Sequence, residues 1–359
     1  MSRFFDDQGP ERPHLVKAGG GLSGEVADLR GDVATALQRV QVEIDSGAGS
    51  TAMEKTLFVG KHGLDTNDGT MMGAAMLTFG AAIAKAATML PADGAAWTIV
   101  CMDAGVYVES IVLQPWIHIF APYAQIESSA QDTITLAADS RVEFRRIKQT
   151  GTGNTKSAVK RPDTAGLALI IADRVDAEND TIAVLSVSGT SVGIVFIDVE
   201  QVWCETGIGI GDLSNAGHVH VDIEDLYVSG NNGQALVRGS AGSTVGRIAH
   251  ILKIGPVTGT KGIICTNGEV NLHVDLIATD QAYNIGAAGV MNLFVNSISG
   301  TEVETGIANV SIPGGFRVYT DGTRPLPGKK IGRTIFNTDD GQINIDNGTA
   351  WTLADGTAT

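Results

Sequence analysis

VFIDVEQVWCET, from Val195 to Thr206, and VHVDIEDLYVSG, from Val219 to Gly230, are two copies of one pattern. In both, apolar residues alternate with polar ones: Ile197 and Val199 flank Asp198, and Val221 and Ile223 flank Asp222. A period of two places successive side chains on opposite faces of a strand, whereas a helix would need a period near 3.6. Three further segments continue the series: GRIAHILKIGPV from about position 246, VNLHVDLIATDQ from 270 and MNLFVNSISGTE from 291. The spacing of these starts is nearly constant. Each copy is followed by a Gly-bearing second segment: GIGIGD at 207, GQALVRG at 233, GIICTNG at 262, YNIGAAG at 283 and GIANVSI at 306. A period in the twenties with two or three short strands per period predicts a solenoid. There is no fixed Leu/Asn consensus of a leucine-rich repeat, so the expected fold class is all-β, a parallel β-helix in which each rung buries its apolar face on the next.

Composition agrees. Glycine accounts for 45 of 359 residues, suiting a chain that turns sharply several times per rung. Aromatics are only 5%, so the core is aliphatic. The formal charge of −15 argues against nucleic acid as a partner, because phosphate contacts need Lys and Arg. The start, Met1-Ser-Arg-Phe-Phe-Asp-Asp, lacks the basic end and apolar run of a signal peptide, and no stretch has the apolar length of a membrane span. Folding in the cytoplasm and no membrane insertion are therefore expected. Cys101, Cys204 and Cys265 each sit in an apolar run, without metal-ligand spacing; they read as buried reduced thiols.

Five regions follow from the pattern: 1–21, 22–45, 46–94, 95–314 and 315–359. The first has no periodicity and reads as an extended arm; its apolar residues Phe4, Phe5, Leu15 and Val16 are candidates for docking on another protein. The second carries an apolar stripe, Leu22, Val26, Leu29, Val33, Leu37, Val40 and Ile44. The stripe recurs from Leu22 to Val33 to Ile44, and from Val26 to Leu37. A repeat of about 11 residues suits a straight or slightly right-handed coiled coil, here about 36 Å long. A stripe this regular between a Gly run and the segment SGAGST needs copies of itself to cover it, so a homotrimer is expected. Region 46–94 is a linker and cap, and 95–314 is the β-helix.

Within the cap and the first rung a family likeness is legible. TLFVGKHGLDTNDGT at 56–70 is a strand and polar turn, and MLTFGAAIAKAATML at 76–90 is an amphipathic helix with Phe79, Ile83 and Leu90 on its apolar side. WTIVCMDAGVYVESIVL at 97–113 follows, with Ala104-Gly105, Tyr107, Glu109, Ile111 and Leu113, and then WIHIFAPYAQIES at 116–128. This order resembles the pectin-lyase-like right-handed β-helix family, with Ala-Gly where that family's first coil has Pro-Gly. At the other end, GKKIGRTIFNTDDGQINIDNGTAWTLADGT at 328–357 sets two strand-like runs about Asp340-Gly341, a tight-turn pair. It resembles a small terminal β module of bacteriophage fibres and tail proteins. Together these resemblances imply a bacteriophage virion spike or fibre: a homotrimer anchored to capsid or tail proteins through its N-terminus, with a small C-terminal β tip and a host-surface glycan as a further partner. The alternative they leave open is a tailspike depolymerase that cleaves surface polysaccharide.

Candidate chemistry is thin. The repeat stacks Asp198 over Asp222 and Glu200 over Glu224, and paired carboxylates are what a glycan hydrolase uses. Asp198, Asp222 and Glu224 are thus the catalytic candidates, against the reading of an acidic solvated face. His218 and His220 share one strand face and are the metal candidates, on the ground that imidazoles gathered on a trimer axis can hold a transition metal. Asp65-Thr-Asn67-Asp68-Gly69 lacks the distal bidentate Glu of a calcium loop and reads as a turn. No cofactor is expected.

Overall fold

Alternating strands with one apolar face bury that face only by stacking, and in the computed structural model they do so as a parallel β-solenoid. The structure describes residues 55–89, 96–153, 155–162, 165–187, 193–213, 217–311, 317–319, 334–337, 342–346 and 349–353. The arm with Phe4, Phe5, Leu15 and Val16, and the stripe from Leu22 to Ile44, lie outside the described residues.

Each rung contributes to three sheets. The first sheet takes Trp97–Val100 and then the leading halves of Ile117–Ser128, Ser140–Gln149, Gly166–Ala177, Gly193–Cys204, His218–Val228 and Ser243–Lys253. The second takes Val106–Val108 and the trailing halves of the same long strands. The third takes the short strands from Ile111–Val112 through Ile134–Thr135, Ser157–Arg161, Ile182–Ser186 and Ile208–Asp212 to Gln234–Arg238. All these pairings are parallel, and apart from a register shift between Ala121 and Gln125, where Ile117–Ser128 pairs with Ser140–Gln149, they keep one register, so like side chains form columns. In the first sheet one column runs Ile99, Ile119, Val142, Ile170, Ile197, Val221, Gly246, Leu272. The second sheet supplies Tyr107, Ile126, Ile147, Val175, Val202, Leu226, Ile251 and Ile277. The third supplies Ile111, Ile134, Val159, Val184, Ile210, Leu236 and Ile263. Apart from Gly246 every member is buried, each stabilising by about 1.5–3 kcal/mol relative to exposure. Cys101, Cys204 and Cys265 are buried free thiols among them.

Two details of the repeat differ from the sequence alignment. Val195, Val219, Thr244 and Val270 are register partners, so the third copy begins at Thr244 and not at Gly246. The discrepancy comes from Gly246, which fills an aliphatic position with no side chain at φ 132°, a conformation L-residues avoid; a Cβ there would lie 2.0 Å from the Val221 carbonyl oxygen. Second, Ile307–Ser311 pairs with Val290–Phe294 as a further strand of the first sheet, and not as a second segment of the same rung.

The N-terminal end of the core is covered by helix α1 (Phe79–Met89), whose Phe79, Ala82, Ile83 and Ala86 are buried. Thr78 caps it, its hydroxyl accepting from the Ala81 amide at 3.1 Å. Glu109 Oε1 and Oε2 accept from the amides of Phe79 and Gly80 at 3.0 and 2.9 Å, placing a carboxylate at the positive end of the helix. Tyr107 turns inward and donates to Asp103 at 2.9 Å. The residues behind the family likeness in the first rung therefore have structural tasks. Asp65 belongs here too: its Oδ1 accepts from the amides of Leu77 and Thr78 at 3.0 and 2.9 Å, so the stretch 65–69 works as a turn.

Several carboxylates serve at the corners. Asp132 accepts from the Ser157 amide at 2.8 Å, Asp180 from Gly153 at 2.6 Å, Glu205 from Asn179 at 2.6 Å and Asp280 from Thr260 at 3.0 Å. Each such side chain satisfies a backbone donor of another rung where the ladder turns. One corner is ionic and wholly inside: Arg238 pairs with Asp212, both inaccessible, and Asp212 also accepts from the Thr244 hydroxyl at 2.8 Å. Beyond the solenoid, Arg317–Tyr319, Thr334–Asn337, Gln342–Asp346 and Trp351–Leu353 form a separate four-stranded sheet. Thr334–Asn337 and Gln342–Asp346 pair antiparallel with Asn337 opposite Gln342, as expected of runs set about Asp340-Gly341; those two residues lie outside the described set.

Two predictions test this core. Gly246→Ala should lower stability by on the order of 3 kcal/mol, since strain at φ 132° and a backbone clash add; a melting temperature unchanged from wild type would contradict the register. Arg238→Met alone should cost about 3–5 kcal/mol because it leaves the Asp212 carboxylate buried without its cation, and adding Asp212→Leu should recover most of that loss. Denaturant titration of the two variants measures both effects.

Candidate functional site

The outer face of the first sheet holds the predicted residues. Asp198 and Asp222 are register partners one rung apart, both half-buried, so the carboxylates stack as the repeat implied. Neighbouring rungs lie about 4.8 Å apart. Arg247 is the partner of Asp222 on the following rung. Its guanidinium reaches sideways to Glu224 at 3.1 Å and Asp275 at 3.2 Å. Burial works to lower the Arg247 pKa, but these two carboxylates outweigh it and raise it. Glu224 is exposed and engaged by this arginine, at the corner between sheets, rather than standing in line with Asp198 and Asp222.

The histidines do share a face, as period two demands, and each is occupied. His218 shares a 2.6 Å hydrogen bond with the Ser243 hydroxyl. The His220 ring stacks on Phe196 with centroids 4.6 Å apart and planes 19° from parallel. Burial, and secondarily the neighbouring His218, lower the His220 pKa, favouring the neutral ring that such stacking suits. Among the described residues no three His, Cys, Asp or Glu side chains come together as a metal would require.

Two features escaped the sequence reading. Glu143 stands in the column of Asp198, two rungs away with Ile171 between them. Burial raises its pKa, the Arg141 guanidinium at 2.9 Å pulls it back, and the charges of Asp173 and Asp198 add to the rise. Nothing in the local sequence signals this, since Glu143 belongs to a rung outside the five aligned copies. The second feature is on the outer face of the second sheet. Trp203 and Tyr227 are register partners with ring centroids 4.4 Å apart, and the Arg174 guanidinium lies 4.4 Å from the Trp203 ring centre. Tyr227 donates to Asp225 at 2.8 Å, and Asp225 also meets His250 Nδ1 at 2.9 Å. Burial first, then the bond to Asp225, raises the Tyr227 pKa. Here a signal existed: the two aromatics occupy one position of the repeat in consecutive copies.

His118, on the outer face of the first sheet, gives a pH prediction. Burial, aided by the charge of Arg141 and opposed by Asp139, lowers its pKa from 6.5 to about 4. A depressed histidine binds its proton more readily in the unfolded chain, so its contribution to stability is complete above pH 6.5 and is lost as the pH falls toward 4. His118→Gln should therefore show a smaller fall in melting temperature than wild type between pH 7.5 and 4.5, a difference that calorimetry at both pH values checks. Comparison with protein-family models, with curated proteins and with solved structures finds no match to this chain.

Proposed function

We propose that this chain is a structural and adhesive shaft: a bacteriophage virion spike or fibre, built on a right-handed parallel β-helix, homotrimeric, anchored through its N-terminal arm to capsid or tail proteins and meeting host-surface glycan along or beyond the solenoid. The observation that carries this reading is how the side chains that chemistry would need are spent. Asp132, Asp180, Glu205 and Asp280 hold backbone amides at the corners, and Glu109 holds the cap helix. The described corners 205–207, 229–233 and 239–242 join their strands in three to five residues. A rod of this kind suits a spacer. The motif resemblances at 56–128 and 328–357 supply the virion context.

A second reading, a depolymerase acting on surface polysaccharide, has one observation in its favour. Glu143, a carboxyl held above its ordinary range, stands two rungs from Asp198, about 9.6 Å along the column, at the edge of the ~6.5–9.5 Å separation of inverting glycosidases. Ile171 between them and Arg141 upon Glu143 speak against it.

The two readings part in one experiment. Purified protein incubated with host capsular and lipopolysaccharide should release no reducing ends, and Glu143→Gln, Asp198→Asn and Asp222→Asn should leave particle attachment to cells unchanged. Deleting residues 1–45 should leave the solenoid's far-UV spectrum intact and abolish decoration of particles. Sugar release lost in Glu143→Gln would establish the depolymerase instead, and particles still decorated by the truncated chain would overturn the N-terminal anchor.

A further inference from the structure

Three Asn-Gly pairs occur in the chain: Asn232-Gly233, Asn267-Gly268 and Asn347-Gly348, the last outside the described residues. In such a pair the main-chain nitrogen reaches the preceding side-chain carbonyl carbon most freely, because glycine has no Cβ to hinder it. The two described pairs sit at corners of the solenoid and differ in where their groups point. Asn232 is exposed, with φ 59°. Its own amide donates to the Thr258 carbonyl at 2.9 Å, and the Gly233 amide donates to the Gly230 carbonyl at 3.2 Å. Its side-chain oxygen is turned toward Gly259 of the next rung. Asn267 is half-buried, and the Gly268 amide donates to its Oδ1 at 2.8 Å. This corner is held on both sides. The Thr266 hydroxyl donates to the Arg238 carbonyl at 3.3 Å, and the Glu269 amide donates to the Gly242 carbonyl at 3.1 Å. Gly268 has φ 77°, and a Cβ on it would collide with the Ser240 carbonyl oxygen, so the position accepts only glycine.

We infer that Asn267 is a modification site, at which the side-chain amide is lost spontaneously by ring closure onto the Gly268 nitrogen. In the first step that nitrogen bonds to Cγ of Asn267, while its proton passes to Oδ1, the atom it already faces. The Cγ–Nδ2 bond then breaks, and the departing NH2 takes the hydroxyl proton and leaves as ammonia. A succinimide remains. Water opens this ring at either carbonyl, adding its hydroxyl to carbon and its proton to nitrogen, and the product is aspartate or isoaspartate. No reagent but water is consumed. Exposure alone would make Asn232 the reactive residue. Geometry selects Asn267, because groups already held side by side need no search for one another, whereas the Gly233 amide and the Asn232 side chain point apart. Each converted copy gains one negative charge beside Glu269. As isoaspartate it also gains one main-chain carbon at the corner that leads into the first sheet.

The test uses the full chain, aged folded in mildly alkaline buffer and, in parallel, unfolded in guanidinium. Peptide mapping by mass spectrometry reads amide loss at each position and separates isoaspartate from aspartate. In the folded protein Asn267 should convert about tenfold faster than Asn232, and in the unfolded chain the two rates should agree within about threefold. Asn267→Gln, whose longer side chain would have to close a larger ring, should suppress conversion at position 267 and leave that of Asn232 unchanged. Asn267 surviving in the folded protein while it converts in the unfolded chain would overturn the site, as would folded Asn232 converting as fast. The same tenfold preference in the unfolded chain would trace the reactivity to local sequence and overturn its origin in the corner.

Discussion

Everything in this molecule depends on the spacing of rungs about 4.8 Å apart. The inward side chains of a rung meet those of its own other sheets across the core, and above and below them those of the rungs before and after. That requirement turns the chain into columns. Ile99 to Leu272 in one sheet, interrupted at Gly246, and Tyr107 to Ile277 in another are columns that run through successive rungs. The columns demand a constant register, and the register places whatever lies outward in columns as well. The outer surface is therefore a by-product of the core: Asp198 meets Asp222, Phe196 meets His220, and Trp203 meets Tyr227 because the aliphatic residues beside them must meet.

The same constraint gives some of the chain's carboxylates a structural task. A parallel ladder that turns three times per rung leaves amides at its corners, and each corner needs an acceptor that reaches one rung away. Carboxylates and amides from Asp132, Asp180, Glu205, Asn231 and Asp280 take that role. An acidic surface made this way is a consequence of architecture, and counting its carboxylates overstates the number free for catalysis. A corner where the ionic contact is sealed inside, Arg238 with Asp212 and Thr244, shows the cost of the alternative. A buried pair must be complete, because neither partner tolerates loss of the other.

Outer columns carry the functional potential, and their differences decide between readings. The first sheet offers a column of carboxylates, and the second carries the Trp203–Tyr227 pair beside Arg174 and Asp225. Several outward groups on both are tied to a neighbour on their own or an adjacent rung, among them Arg247 with Glu224 and Asp275, and Tyr227 with Asp225.

The sequence by itself determined the period, the alternation and therefore the class of fold, because a two-residue pattern recurring at a near-constant interval has few ways to bury its apolar face. It also determined that Asp198 and Asp222 would stack, since equal positions in consecutive copies become neighbours. Only the tertiary structure decided the rest. The third copy's true start was hidden because Gly246 breaks the aliphatic column by backbone conformation, which residue identity does not reveal. Ile307–Ser311 looked like a second segment and became a strand of the first sheet, because pairing and not glycine content assigns a strand to its sheet. The roles of Glu109, Asp212 and Glu143 depended on partners far along the chain or on burial, as in Glu109 with Phe79 and Arg238 with Asp212. Those contacts exist only once the rungs have closed on one another, and a linear pattern contains no term for them.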